Sequence, residues 1–258
     1  MKTHQIREAL REGRPTIGCF MSLGSPSAAE LLGHAGFEWL VIETEHTGLD
    51  AAEIQQLVTA IDSTPAVPLV RVHSIDKVAI QRALDIGAMG IVVPLVKTAE
   101  EAAAIVDATR FPPRGTRSFG PVRAARYGFD NADYFNRANE QIVVMLILET
   151  QEALDNLPEI GSVEGIDALY IGPFDLSLSL GLDPMSSPSP ELERAIRSAL
   201  ETCNAHHVPL GIPVRTPEEL RRRREEGFSL FGFGPDYLLL GDAARAGLAA
   251  FAETPKHA

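Results

Sequence analysis

The chain has 258 residues, with 23 Lys or Arg against 35 Asp or Glu, so its formal charge is −12 at pH 7. This balance repels polyanions, and no basic cluster offers a docking face, so we expect no nucleic-acid partner. No apolar stretch approaches the ~20 residues of a bilayer span and no apolar signal core is present, so we expect no membrane partner. The two cysteines, Cys19 and Cys203, provide no disulfide framework and predict a reduced, cytoplasmic protein.

Short apolar runs rich in Val, Ile and Leu predict buried parallel strands. In chain order these are Ile17–Met21, Glu38–Ile42, Leu69–Val72, Gly90–Val93, Ile142–Leu148, Ala168–Ile171, Leu210–Pro213 and Phe228–Phe231. Predicted helices are Ala28–His34, Ala51–Ile61, Lys77–Ile86, Ala99–Thr109, Leu192–His206, Glu218–Glu226 and Ala243–Ala252. Eight strands alternating with helices over ~250 residues favour an α/β fold, a (β/α)8 TIM barrel, over an open doubly wound sheet. We expect one domain over residues 1–258, with an irregular, functional loop over Phe111–Asn139.

Polar residues follow several of the predicted strands, where β/α barrels carry their active sites. Glu43–His46 follows the second strand, Arg71 lies near the end of the third, and Glu149 follows Ile142–Leu148. Gly172–Asp175 follows the next strand. We therefore expect one His, one Arg and several carboxylates to converge on one rim of the barrel.

Glu149 and Asp175 could share a divalent cation, because carboxylate oxygens are ligands that such ions prefer. The alternative is that each acid caps the amino-terminal end of a helix, a role that suits Asp175 after Gly-Pro. Their shared position on one rim favours the metal site.

Three further residues are candidates for binding or catalysis. His46 could accept a proton near pH 7, or it could be a surface loop residue. Arg71 emerges from a buried strand and should meet an anion, either a substrate carboxylate or a structural acid such as Asp85. Lys97 follows a strand and is the one plausible Schiff-base lysine, although an exposed helix-start residue fits it better.

Several strings together resemble a known family, the HpcH/HpaI aldolases. They are Trp39–His46, Leu69–Arg71, Leu84–Gly87, Val93–Val96, Ala108–Pro113, Glu149–Thr150 and Ile171–Ser177. The resemblance runs in order from about Phe20 to beyond Phe231, which is nearly the whole chain. It implies a TIM barrel of the phosphoenolpyruvate/pyruvate-binding type and a class II lyase that cleaves 4-hydroxy-2-oxo acids to pyruvate and an aldehyde.

The resemblance also implies roles for particular residues. Glu149 and Asp175 would bind a divalent cation, Mg²⁺, Mn²⁺ or Co²⁺, while His46 would be the base. Arg71 would hold the pyruvate carboxylate. The stretch Gly172, Pro173 and Phe174 would bind the keto acid, and Asp85 would support the site or an interface. The family forms homo-oligomers, commonly hexamers, so we expect the same here; the apolar segment Ala243–Ala252 agrees with such packing.

Four positions depart from the family pattern. Glu43 stands where Asp commonly orients the catalytic His, and Ile147 stands where Gln is common. Phe20 replaces a frequent Trp and Phe174 a small residue, which predicts a different aldehyde pocket. We expect the loop carrying Phe119, Arg123 and Tyr127 to cover the aldehyde, with a subunit contact as the alternative.

The sequence thus predicts a metal-dependent retro-aldol lyase with a 2-oxo acid and an aldehyde as its small-molecule partners. Because oxaloacetate decarboxylation produces the same pyruvate enolate, an oxaloacetate decarboxylase or related pyruvate-enolate enzyme is the nearest alternative. A CoA-thioester lyase fits less well, because no basic patch offers a site for nucleotide phosphates. A non-catalytic keto-acid-binding protein is the third possibility, with Glu43 and Ile147 marking lost activity.

Overall fold

Eight parallel strands close into a barrel in the order β1 to β8 in this computed structural model, which describes residues 3–185 and 189–253. The strands are β1 Thr16–Met21, β2 Trp39–Glu43, β3 Val67–Arg71, β4 Gly90–Val93, β5 Val143–Leu148, β6 Ala168–Ile171, β7 Leu210–Val214 and β8 Leu230–Pro235. The helices are α1 Thr3–Arg11, α2 Pro26–Ala35, α3 Ala51–Asp62, α4 Lys77–Ile86, α5 Ala99–Thr109, α6 Asn131–Gln141, α7 Gln151–Asp155, α8 Leu157–Gly161, α9 Pro173–Ser179, α10 Pro190–Ala205, α11 Pro217–Glu226 and α12 Asp236–Glu253. The predicted (β/α)8 barrel is confirmed.

The prediction of an irregular segment over Phe111–Asn139 is wrong for its last third, residues 131–139, which belong to α6. Only Tyr134 and Ala138 of this helix are buried, so its sequence is mostly polar and shows a weak apolar stripe. The first half is packed against the barrel by Arg117, whose side chain is fully buried. Its guanidinium carbon lies 4.6 Å from the centroid of the Phe111 ring.

Two apolar layers hold the barrel together. Side chains from alternate strand positions fill the interior, where Trp39, Met145 and Tyr170 are among the buried residues. Helix α1 covers the amino-terminal end of the barrel, because Ile6 and Leu10 pack into this interior cluster. The second layer lies between the strands and the surrounding helices. Both faces of the parallel strands are therefore buried, which explains their continuous apolar runs.

The helices in the described part of the chain are all too short or too polar to cross a lipid bilayer.

Candidate active site

A cavity of about 830 Å³ lies at the carboxyl ends of the strands, where the sequence predicts the site. It is lined by most of the predicted site residues, which are Phe20, Glu43, His46, Arg71, Ile147, Glu149, Gly172, Pro173, Phe174 and Asp175. The structure therefore brings together the acids, the His and the Arg that follow four different strands.

Glu43 and Arg71 face each other across β2 and β3, where they are register partners. Oε2 of Glu43 lies 2.5 Å from Nη2 of Arg71, and both side chains are largely buried. Oε1 of Glu43 accepts the backbone N–H groups of Glu45 at 2.7 Å and of His46 at 3.2 Å. Glu43 thus fixes the guanidinium of Arg71 and the backbone of the following loop. Among the described residues, no hydrogen bond joins its carboxylate to the His46 ring.

The acid that faces the imidazole is Glu45. Its Oε2 atom lies 3.5 Å from Nε2 of His46 and 3.3 Å from Nη1 of Arg71. Burial is the main cause that raises the pKa of Glu45 above its usual value. The His46 side chain is 62% exposed, so it stands at the rim of the cavity. Glu45, rather than Glu43, is therefore the acid within 4 Å of the His46 ring among the described residues.

Arg71 is held by acids of β2 and its loop, and the predicted structural alternative, Asp85, is not its partner. Asp85 instead pairs with Arg117 at 2.7 Å, outside the cavity. The Nε atom of Arg71 is buried and has no hydrogen-bond partner among the described residues. The guanidinium also lies 5.6 Å from the centroid of the Phe20 ring. Arg71 therefore retains donor capacity toward an anion in the cavity.

Glu149 is buried at the end of β5 and anchored through one oxygen. Its Oε1 accepts the backbone N–H of Leu95 at 2.6 Å. Leu95 has φ 57°, a left-handed conformation that is unfavourable for a leucine and is typical of functional sites. Gly172 lies against the other oxygen, because a Cβ at this position would be 2.6 Å from Oε2. The carboxylate of Glu149 is thus positioned by two backbone segments.

The charges around Glu149 suit a divalent cation. Burial raises its pKa to about 7, and the nearby carboxylates of Glu45 and Asp175 act in the same direction. A cation between Glu149 and Asp175 would offset this repulsion. No group of three or more His, Cys, Asp or Glu side chains that could hold a metal ion occurs in the described ranges. Magnesium-type ions are commonly held by one or two carboxylates together with water and substrate oxygens.

Five residues singled out in the sequence do not line this cavity, which are Asp85, Lys97, Phe119, Arg123 and Tyr127. Arg123 pairs with Asp62 at 2.7 Å and donates to Thr59 at 3.2 Å, on the outside of the barrel. The expectation that Arg123 covers the aldehyde is therefore wrong, because its guanidinium is held outside the cavity. Asp85, as described above, faces Arg117. Lys97 lies 3.6 Å from Glu152 in an exposed pair.

Sequence reasoning missed three residues that shape the site. Glu45 belongs to the string Trp39–His46, but no pattern in the sequence distinguishes it from Glu43. Only the geometry of the loop shows which of the two acids lies beside the His46 ring. Tyr170 lines the floor of the cavity, with its ring centroid 5.8 Å from that of Phe20. Burial raises its pKa, so it remains a neutral hydroxyl. Leu95 contributes only its backbone N–H, which donates to Glu149. A motif made of side chains cannot reveal such a residue.

The sequence profile of the HpcH/HpaI aldolase/citrate lyase family matches residues 16–243, which is most of the chain. The chain belongs to this family. It is a carbon–carbon lyase, as the aldolases among its relatives also indicate.

Two relatives and one solved structure of the family illustrate the similarity. The chain is 39% identical to a 2-dehydro-3,6-dideoxy-6-sulfogluconate aldolase of Pseudomonas putida, over 89% of each chain. It is 39% identical to a 4-hydroxy-2-oxo-heptane-1,7-dioate aldolase of Shigella sonnei, over 96% of this chain and 95% of the relative. A family member from Burkholderia cenocepacia superposes with a TM-score of 0.92 at 35% identity, over 96% of this chain and 99% of the other. The Burkholderia cenocepacia protein therefore has the same barrel over nearly the whole chain.

Proposed function

We propose that this protein cleaves a 4-hydroxy-2-oxo acid to pyruvate and an aldehyde in the 830 Å³ cavity. The observation that carries the proposal is the convergence of the Glu149–Asp175 pair, Arg71 and His46 on that one cavity. The names of the two aldolase relatives support it, because both describe aldol cleavage.

Glu149 and Asp175 would hold the metal, which we propose to be Mg²⁺, Mn²⁺ or Co²⁺. When bound, such an ion supplies Lewis acidity, which stabilises the negative charge that develops on the 2-oxo oxygen during carbon–carbon cleavage. Leu95 and Gly172 hold the Glu149 carboxylate in place, so that little reorganisation is needed when the charge forms.

Arg71 would bind the carboxylate of the 2-oxo acid. Its planar guanidinium group can donate two parallel hydrogen bonds to a carboxylate. The Nε atom has no hydrogen-bond partner among the described residues, so the edge of the guanidinium that carries Nε could bind the substrate. The pairs with Glu43 and Glu45 hold this edge in one orientation.

His46 would remove the proton from the C4 hydroxyl group. Its side chain is largely exposed and lines the same cavity as Arg71, so it could reach a hydroxyl group of a bound substrate. The Glu45 carboxylate beside Nε2 would stabilise the imidazolium that results.

The aldehyde would contact Phe174, which is half exposed at the mouth of the cavity, whereas Phe20 lies beside the Arg71 guanidinium and would contact the pyruvate half. Arg215, which follows β7, lines the same cavity and offers a cation for an acidic group at the far end of the substrate. The sulfo and dioate groups in the relatives' names agree with a second acidic group.

We further propose a homo-oligomer, a hexamer, in the cytoplasm. The carboxyl-terminal helix α12 supports association, because its Leu240, Leu248 and Phe251 are all exposed in the single chain. Light scattering at micromolar concentration tests the assembly, and a monomer would contradict it.

The cytoplasmic location is supported by the two cysteines, which are both free and buried, as expected in a reducing compartment.

The decisive experiment is a pyruvate-release assay with a panel of 4-hydroxy-2-oxo acids, before and after chelation. We expect chelation to abolish activity and Mg²⁺, Mn²⁺ or Co²⁺ to restore it. Full activity of a metal-free sample would contradict the metal role. Oxaloacetate decarboxylation without any aldol cleavage would instead support the alternative reaction, and binding of pyruvate without turnover would support a binding protein.

A further inference from the structure

A second cavity, of about 570 Å³, lies at the opposite end of the barrel. It is formed by α1, the ends of α5 and α6, and the segments that lead into β6 and β7. Its lining includes Arg7, Arg11, Arg110, Arg114, Asn139 and Asp167. Because these segments precede the strands, the cavity is separated from the catalytic one by the length of the strands, ~20 Å for six residues.

Basic side chains dominate this cavity although the chain as a whole carries a charge of −12. Four arginines line it, against the carboxylates of Glu140, Glu164 and Asp167. Asp167 is already engaged at both oxygens, by Arg7 at 2.6 Å and by the backbone N–H of Val144 at 2.9 Å. Glu140 pairs with Arg114. These ion pairs leave Arg11 and Arg110 against the single carboxylate of Glu164, so a net positive charge remains at the cavity.

Arg110 makes no close ion pair among the described residues, because Asp167 and Glu140, which act on it at longer range, are engaged by Arg7 and Arg114. The residue is only 5% exposed, and its Nη1 atom has no hydrogen-bond partner in the part of the chain that the structure describes. Its other terminal nitrogen makes a single long contact of 3.4 Å to the carbonyl of Gly165. Burial is the largest cause that lowers the pKa of Arg110, to about 10. A buried guanidinium with unused donors at a cavity wall is a site that an anion would complete.

We propose that this cavity binds a phosphate group, either as inorganic phosphate or as the phosphate of a small monoester. Arg110 donates from the cavity wall, and the exposed Arg11 adds a second cation at the rim. The planar guanidinium group can donate paired hydrogen bonds to two oxygens of a phosphate group. The cavity also has room for an organic substituent on a phosphate oxygen, as in a monoester. The site is independent of the proposed aldol reaction, because none of its lining residues lines the catalytic cavity.

The test is isothermal titration calorimetry of the whole protein in chloride buffer, with inorganic phosphate and with glycerol 3-phosphate as separate probes. Arg110→Met removes the donors but keeps the side-chain length, and we expect it to weaken phosphate binding by about 10- to 100-fold. Arg11→Gln lies on the exposed rim and should weaken binding by about 2- to 5-fold through the lost charge alone. Arg221→Gln is the control, because Arg221 is an exposed arginine of α11 outside this cavity.

Saturating pyruvate should leave phosphate binding unchanged, which separates this site from the catalytic cavity. Binding of both probes shows that the cavity accepts a monoester, and binding of phosphate alone shows that it accepts the free ion. Arg11→Gln provides the test if Arg110→Met does not fold. No phosphate binding by the unaltered protein at ~10 mM, equal affinity in Arg221→Gln and the cavity variants, or displacement by pyruvate would overturn the proposal.

Discussion

Oε2 of Glu45 lies 3.3 Å from Nη1 of Arg71 and thereby links the proposed carboxylate anchor to the proposed base. The same oxygen lies 3.5 Å from Nε2 of His46. One carboxylate therefore affects both halves of the substrate site, whereas Glu43, two residues earlier, contacts only Arg71 and the loop backbone among these groups. The two acids should differ in what their removal does.

Glu45→Gln is expected to lower kcat for aldol cleavage by about 10- to 100-fold, because the imidazolium of His46 loses its neighbouring negative charge. The free energy of unfolding should change less than in Glu43→Gln, because the Arg71 guanidinium keeps its closest acid, Glu43. The matched control is Glu43→Gln, which leaves a largely buried guanidinium with its closest acid neutralised and should cost about 3–5 kcal/mol in stability. Steady-state kinetics and urea denaturation of both variants measure the difference, and an unchanged kcat in Glu45→Gln would remove that residue from the mechanism.

His46→Ala should slow carbon–carbon cleavage by roughly 10²- to 10⁴-fold, the usual value of a positioned base. Oxaloacetate decarboxylation requires no hydroxyl deprotonation, so it should be less affected, and pyruvate affinity should be nearly unchanged. Both reactions are followed by pyruvate release from the same preparation. Equal losses in the two reactions would show that His46 is not the base for the hydroxyl group.

Arg71→Lys should weaken pyruvate binding by about 1.5–3 kcal/mol, because an ammonium group cannot form the paired hydrogen bonds of a guanidinium. The charge is retained beside Glu43 and Glu45, so the barrel should stay folded. Calorimetric titration with pyruvate measures the affinity, and circular dichroism checks the fold. Normal pyruvate binding in this variant would make Arg71 structural and require a different substrate orientation.

Gly172→Ala should weaken binding of the divalent cation by about 10- to 100-fold, the range seen when groups that position a metal ligand are altered. The new Cβ would lie 2.6 Å from Oε2 of Glu149, so the carboxylate has to move. Gly247→Ala is the control, because a Cβ there meets no atom within 4 Å. Mn²⁺ titrations of the two variants provide the measurement, and equal affinities would contradict the role of Glu149 as a ligand.

Phe174→Ala should change the preference among aldehydes while leaving pyruvate affinity nearly intact, since this ring lies at the mouth of the cavity. Arg123→Ala should leave both properties unchanged, because its guanidinium pairs with Asp62 outside the cavity. Aldol addition of pyruvate to a panel of aldehydes measures the preference. A shift caused by Arg123→Ala in the assembled protein would show that this residue reaches a site through a neighbouring subunit.

Seven of the eight strands could be predicted to within two residues at each end, because each is a short apolar run that is buried on both faces. The prediction for the eighth, Phe228–Phe231, overlaps β8 by only two residues, because the second half of β8 is half-buried and has no apolar run. Helix α6 could not, because most of its side chains are exposed, and the short helices α7, α8 and α9 are under eight residues and show no full period. The convergence of His46, Arg71, Glu149 and Asp175 was also predictable, because parallel strands end on one rim.

The sequence alone thus determined the barrel, the rim that carries the polar residues and their chemical types, since these depend on local patterns and on chain order. The tertiary structure decided which side chains meet. The β2–β3 register pairs Glu43 with Arg71, so Glu45 is the acid left to face His46. Packing of the outer loops pairs Arg123 with Asp62, and it leaves Nη1 of the buried Arg110 without a hydrogen-bond partner among the described residues. Such contacts depend on the three-dimensional approach of residues far apart in the chain, which composition and periodicity do not encode.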